Sequence, residues 1–389
     1  MVELFVLPAT TEADKMAELY LLKRRIMSEH IRTTVENGLA RLTLDRPEAM
    51  NSLSLPMVRT LAEKLGAWQH DPAIRAVVID SSLPKAFCAG GDIRFFHEVA
   101  QGGLTGGSAL LEDFFTEEYA LNHLIHHYPK PYIAVMDGIV MGGGMGIAQS
   151  SAAASIRVVT ERTRMAMPEV NIGLFPDVGG GYFLSRLPGE LGTYLGLSGE
   201  IVGAADALYA NLADVFVPRA ELPALMNLLL SVKDGQYRQA IEDFAAPFKS
   251  QIDPANSLLA RQRALIDRHF AHDQVAAIVA SLTGDDDPFA QKTLEIMRKR
   301  SPLMIHVSLE QIRRSAKLEL ADCLRLERTM VRRCFEHGET VEGIRALVID
   351  KDNAPQWRPA TLEEVTPEMI APFFESAWPD YAHPLRELS

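Results

Sequence analysis

From about residue 31 the apolar positions fall into two alternating rhythms. Ala40, Leu42 and Leu44 point one way along an extended segment and Arg41 and Thr43 the other, the period of a half-buried strand. Met57, Val58, Leu61, Leu65 and Trp68 then recur at helical spacing, with Pro56 near the first turn, where a missing amide hydrogen is tolerated. Continuous apolar runs at 76–79 and 132–136 predict buried strands, a helix is predicted around 114–127, and 156–160 and 164–167 predict further strands. Strands alternating with helices predict an α/β fold with parallel crossovers and helices packed outside the sheet. Beyond about residue 220 the spacing turns helical: Leu222, Leu225 and Leu229, then Ile241 and Phe244, then Leu309, Ile312 and Leu318. The chain therefore divides into an N-terminal extension (1–30) with an amphipathic helix over 11–27, a core (31–220) and a mainly helical C-terminal region (221–389).

Charge and composition narrow the function. A net charge of −12 argues against a broad nucleic-acid or anionic-membrane surface, so a polyanionic ligand must be held by a few local cations or by backbone amides. No apolar run approaches the length of a membrane span. Cys88, Cys323 and Cys334 lack metal-type spacing and suit a reducing compartment. Glu3, Glu12, Asp14 and Glu18 disfavour a secretory signal or a mitochondrial transit peptide, so a cytoplasmic location is expected. A homo-oligomer stays open.

Three segments can carry chemistry. Met141-Gly142-Gly143-Gly144-Met145-Gly146 stands between a strand and a helix, where free amides at a helix start can hold an oxyanion, or where a tight turn is all that is needed. Its spacing does not fit the dinucleotide fingerprint. Lys85-Ala86-Phe87-Cys88-Ala89-Gly90-Gly91-Asp92 also follows a buried strand, with Asp92 placed to cap the next helix. Two such loops at one end of a sheet supply two converging amides, as an oxyanion hole requires. In Met167-Pro168-Glu169 and Phe175-Pro176-Asp177, two carboxylates sit among apolar residues, which raises a carboxyl pKa toward use as acid or base near neutrality. Asp177 alternatively caps the helix that begins at Gly179-Gly180-Gly181, and Glu169 alternatively forms a buried ion pair. His123, His126 and His127 have no nearby partners to complete a metal set, and Asp285-Asp286-Asp287 reads as a solvated loop leading into a helix.

Together these motifs resemble the crotonase (enoyl-CoA hydratase/isomerase) superfamily over about residues 35–373. Glu117-Glu118-Tyr119, Lys130-Pro131-Tyr132 and Gly173-Leu174-Phe175-Pro176-Asp177 belong to the same ordered set. Glu342-Gly343-Ile344-Arg345-Ala346-Leu347, with Trp357 and Pro359, is like its acyl-CoA hydrolases, and short hydratases lack this block. The resemblance implies a spiral of ββα turns with a helical C-terminal region. It assigns the oxyanion-hole amides to Gly91 and Gly143, the catalytic glutamate to Glu169, the hydrolase-type aspartate to Asp177, and contact with a substrate hydroxyl to Glu118. It further implies hydrolysis of a short 3-hydroxyacyl-CoA, foremost 3-hydroxyisobutyryl-CoA of valine degradation. Coenzyme A is then part of the substrate, and neither a metal nor a redox cofactor is required. The largely apolar segments 170–172 and 182–184 are expected around the site, and Arg46 and Lys85, beside strand ends, near the coenzyme A phosphates. Typical hydratases carry a second glutamate where this chain has Gly146, a helix glycine whose replacement is expected to add slight stability. A hydratase or isomerase, and a silent acyl-CoA-binding protein, remain as rival readings.

Overall fold

The computed structural model describes residues 30–101, 108–149, 155–233 and 235–389, so the helix expected over 11–27 lies outside them. Strands β1 (Ile31–Glu36) and β2 (Leu39–Leu44) form an antiparallel hairpin whose turn, Asn37-Gly38, takes positive φ at both residues. Next in the chain come β3 (Ala76–Ser81), β4 (Ala86–Cys88), β5 (Tyr132–Met136), β6 (Ile139–Met141), β7 (Ile156–Val159), β8 (Arg164–Ala166) and β9 (Val215–Phe216). They sort into a larger sheet of order β1-β2-β3-β5-β7-β9 and a smaller one of order β4-β6-β8. From β2 onward every strand-to-strand ladder among the described residues is parallel.

Each turn of the chain lays one strand in the large sheet, one in the small sheet, and then a helical segment. The repeat is β3-β4 followed by helices α2 (Ile93–Gln101) and α3 (Ala109–His126), β5-β6 followed by α4 (Gly143–Gly146), and β7-β8 followed by a 3-10 turn (Glu169–Ile172) and helix α5 (Gly180–Leu184). Helix α1 of this numbering, Leu55–Trp68, precedes them and packs on α3. This is the expected ββα spiral.

The large sheet is covered on both faces, which explains its continuous apolar strands. Ala40, Leu42, Leu44, Val77 and Ile79 face the main core, whereas Leu39, Ala76, Val78, Ile133 and Val135 face Leu225, Leu229 and Ile241 of helices Leu222–Ser231 and Tyr237–Ala245. Even the polar side of β2 is therefore partly covered: Thr43 is buried and Arg41 pairs with Asp80 at 2.5 Å. Two expectations shift. The glycine loops contain the short strands β4 and β6, and Leu318 lies beyond the helix Pro302–Ser315 that carries Leu309 and Ile312.

Candidate active site

A cavity of about 330 Å³ lies where the two glycine loops meet the 168–178 segment. Gly91, Gly143, Glu118, Glu169 and Asp177 all line it. The spiral brings them together because β4, β6 and β8 run side by side, and each is followed by one piece of the lining.

The glycines are needed for two different reasons. Gly90 (φ +104°) and Gly142 (φ +49°) take backbone conformations that other residues avoid. At Gly91 and Gly143 the constraint is space: a Cβ would stand 2.8 Å from Phe96 Cζ at the first and 2.6 Å from Glu118 Oε1 at the second. At Gly142 it would also stand 2.5 Å from Glu169 Oε1. The missing side chains are thus the room in which two carboxyl groups sit. Gly143 opens α4, so its amide has no acceptor within the helix. Among the described residues neither its amide nor that of Gly91 has a hydrogen-bond acceptor. The Gly91 nitrogen stands 3.4 Å from where a Gly143 Cβ would be.

Glu118 comes from α3, Glu169 opens the 3-10 turn after β8, and Asp177 follows Pro176 in the loop before α5. They are only 2%, 6% and 5% exposed, and among the described residues no lysine or arginine lines the cavity. Glu118 Oε1 and Glu169 Oε2 have no partner among the described residues. Burial first, and the nearby Asp177 charge second, raise both carboxyls well above the usual range. Asp177 accepts a 2.8 Å hydrogen bond from the Tyr119 hydroxyl. Burial pushes Asp177 up to about 6, with the Tyr119 bond pulling the other way.

The structural alternatives for these carboxylates find no support in the geometry. Among the described residues no cation pairs with Glu169 or lines its cavity. The Asp177 side chain does not cap α5; the Gly179 and Gly181 amides donate instead to Glu327, at 2.8 and 3.0 Å. Glu327 sits on the distant helix Leu320–His337 and is fully buried. Gln311 Nε2 donates to Glu327 Oε1 at 3.1 Å and to the Pro176 carbonyl at 2.8 Å. Gln311 and Glu327 escaped the sequence reading, and Tyr119 entered it only within the Glu117-Glu118-Tyr119 motif, without a role. A signal existed for Glu327, because it falls on the apolar stripe of its helix with Leu320, Cys323, Leu324, Met330, Val331 and Cys334.

The C-terminal region also holds the Glu169 turn. Ser301 donates its amide to the Val170 carbonyl at 3.0 Å, Thr340 donates its hydroxyl to the Gly173 carbonyl at 2.8 Å, and Gly343 packs on the Ile172 carbonyl with no room for a Cβ. Leu347 follows and lines the cavity while remaining 43% exposed.

Other sequence candidates fall elsewhere. Arg46 pairs with Asp92 at 2.7 Å, and Asp92 accepts from the Phe95 amide as a helix cap. Lys85 is exposed and does not line the cavity. Ile172 does line it, but Tyr182 and Phe183 face a second cavity and Leu184 lies in the core, so the 182–184 part of the expected apolar surround is corrected. Tyr182 packs against Arg186 and His126 there. Among the described residues no group of three or more His, Cys, Asp or Glu could hold a metal ion, and no helix is long and apolar enough to cross a membrane.

Residues 39–374 match the sequence model of a family described as enoyl-CoA hydratase/isomerase. The chain belongs to this crotonase family and is an acyl-CoA enzyme of it. Within the family it is 39% identical to the mitochondrial 3-hydroxyisobutyryl-CoA hydrolase of Gallus gallus, over 86% of both chains. The Bos taurus protein of the same name is 37% identical over 92% of both. Among solved structures it resembles a carnitinyl-CoA dehydratase from Mycobacterium thermoresistibile (TM-score 0.82, 41% identity, covering 90% of this chain and 98% of that one). An enoyl-CoA hydratase from Rhodobacter sphaeroides is also similar (TM-score 0.79, 36% identity, 90% and 98% covered).

Proposed function

We propose that the protein hydrolyses a short 3-hydroxyacyl-CoA, with 3-hydroxyisobutyryl-CoA the foremost substrate, to the free acid and coenzyme A. The observation that carries this reading is the pairing of two acceptor-free amides with a buried Glu169 carboxyl whose Oε2 has no partner among the described residues, all in one cavity. The thioester oxygen accepts from the Gly91 and Gly143 amides, which stabilise the negative charge that develops as the carbonyl carbon becomes tetrahedral. Glu169 removes a proton from the attacking water, or attacks the carbonyl carbon itself to give an anhydride that water then opens. Either route expels the coenzyme A thiolate, which takes up a proton. Asp177, held by Tyr119, orients Glu169 or the water. Glu118 meets the 3-hydroxyl of the acyl chain. Burial of the site strengthens each of these interactions.

Hydration or dehydration of an acyl-CoA is the second reading, favoured by the names of the two similar solved structures. Gly146 speaks against it, because it lies under Val178 and Asn122 and offers no carboxyl group. A panel of acyl-CoAs, followed for free thiol and for enoyl absorbance, separates the readings. We expect thiol release from 3-hydroxyisobutyryl-CoA and negligible hydration of crotonyl-CoA. Efficient crotonyl-CoA hydration with little thiol released would overturn the hydrolase reading. Isobutyryl-CoA turned over with the same kcat/KM as its 3-hydroxy form would remove Glu118 from hydroxyl recognition.

A further inference from the structure

We infer that Gln311 and Glu327 are positioning residues that act through Asp177, by gripping the backbone on both sides of the Asp177-Val178 pair. Gln311 Nε2 holds the Pro176 carbonyl at 2.8 Å, and Glu327 Oε2 holds the Gly179 amide at 2.8 Å. The two side chains are joined to each other at 3.1 Å, and Glu327 Oε1 takes the Gly181 amide as well. Between the two grips, Val178 has φ +53°. A β-branched residue avoids that region and stays there only when its surroundings leave no alternative.

The arrangement is a costly one if it serves packing alone. Glu327 is 0% exposed, and no cation pairs with it among the described residues. The neighbouring Arg328 turns away to Thr116 and Glu112. Burial without a cation pushes Glu327 up to about 8, and three N–H donors are spent on keeping it in place. An apolar side chain of similar volume would fill the space without that desolvation. What an apolar residue cannot do is fix two amides whose position sets the direction of Asp177. The helical C-terminal region is thereby part of the site although neither residue lines the cavity.

The inference rests on Asp177 serving the reaction, and a double-mutant cycle tests both separately. kcat and KM are measured for wild type, E327Q, D177N and E327Q/D177N on whichever acyl-CoA the wild type turns over, with melting curves for each. A glutamine must turn its NH2 group toward one of the two amides, so the grip fails on one side. We expect E327Q to lower kcat by about 10²-fold, the effect of a small misplacement, with KM changed by less than about threefold. The double variant should then be no slower than D177N alone. Multiplying losses in the double variant, or a full-speed E327Q, would overturn the positioning role while leaving the proposed function intact. A fully active D177N would remove Asp177 from the chemistry and the inference with it. Q311M leaves Glu327 on its two amides but frees the Pro176 carbonyl and removes the third donor from Glu327; the same cycle on Q311M decides the matter if E327Q does not fold.

Discussion

The Tyr119 hydroxyl donates to Asp177 Oδ2 across 2.8 Å, joining α3 to the loop before α5 at the wall of a cavity lined by two further carboxyl groups. This bond favours the charged form of Asp177 against its burial. Tyr119→Phe should therefore raise the Asp177 pKa above its present value of about 6. If ionised Asp177 is required, the acid limb of the kcat/KM profile moves to higher pH by about 1 unit, the worth of a charge-assisted hydrogen bond. A limb that stays in place would show that another group titrates there.

Glu169→Gln should lower kcat by roughly 10²–10⁴-fold, the usual range for a positioned acid or base. The melting temperature should hold or rise, since the change removes a buried carboxyl group whose Oε2 has no partner among the described residues. A large fall in melting temperature would instead give Glu169 a structural role.

The three cavity carboxyls should contribute to stability in the direction opposite to ordinary acid denaturation. Glu118 and Glu169 have folded pKa values above their ordinary 4.5, and Asp177 lies above its ordinary 3.8. Above about pH 4 the unfolded chain loses protons that the folded cavity still holds, so their contribution is full below the ordinary values and is lost as pH rises through the folded ones. Several histidines buried below their ordinary 6.5 act the other way at lower pH, so urea midpoints should decline as pH rises above about 6.5. Glu118→Gln should flatten that decline. An equal slope in the variant would mean that Glu118 does not retain its proton in the folded state.

Gly146→Ala should destabilise the protein, contrary to what helix propensity alone suggests. A Cβ at Gly146 would stand 2.6 Å from Val178 Cβ and 2.9 Å from Asn122 Nδ2. Overpacking of this kind costs about 1–3 kcal/mol, more than the roughly 1 kcal/mol that a helix gains from replacing glycine. The push falls on Val178, so activity should fall as well. Gly146→Glu should do more of both and produce no efficient hydratase. A more stable Gly146→Ala variant with full activity would refute this account.

Much of this architecture was legible because the long strands are buried on both faces and read as unbroken apolar runs. The residues at 76–79 and 132–136 give themselves away in this manner. Strands β4 and β6 do not, since three residues inside a glycine loop are too few to show a period. Leu318 continues a helical spacing by coincidence after the helix has stopped at Ser315. At the site, Glu118, Glu169, Asp177 and the two glycines were marked by local motifs, and the fold gathers them. The Asp177 cap was the natural local reading, as an aspartate just before a helix usually serves as one. A glutamate 148 residues from Gly179 takes that place, and nothing near Asp177 in the chain announces it.

The bond from Thr340 to the Gly173 carbonyl spans 167 residues. During synthesis the turn that carries Glu169 therefore leaves the ribosome long before its support does, by roughly 10–30 s at ordinary elongation rates. Through that interval Val170 and Ile172 lack their final cover and are open to chaperones. A premature stop or frameshift well downstream of every cavity-lining carboxylate should thus silence the enzyme, and genetic lesions mapping to the last fifth of the gene deserve to be scored as active-site lesions.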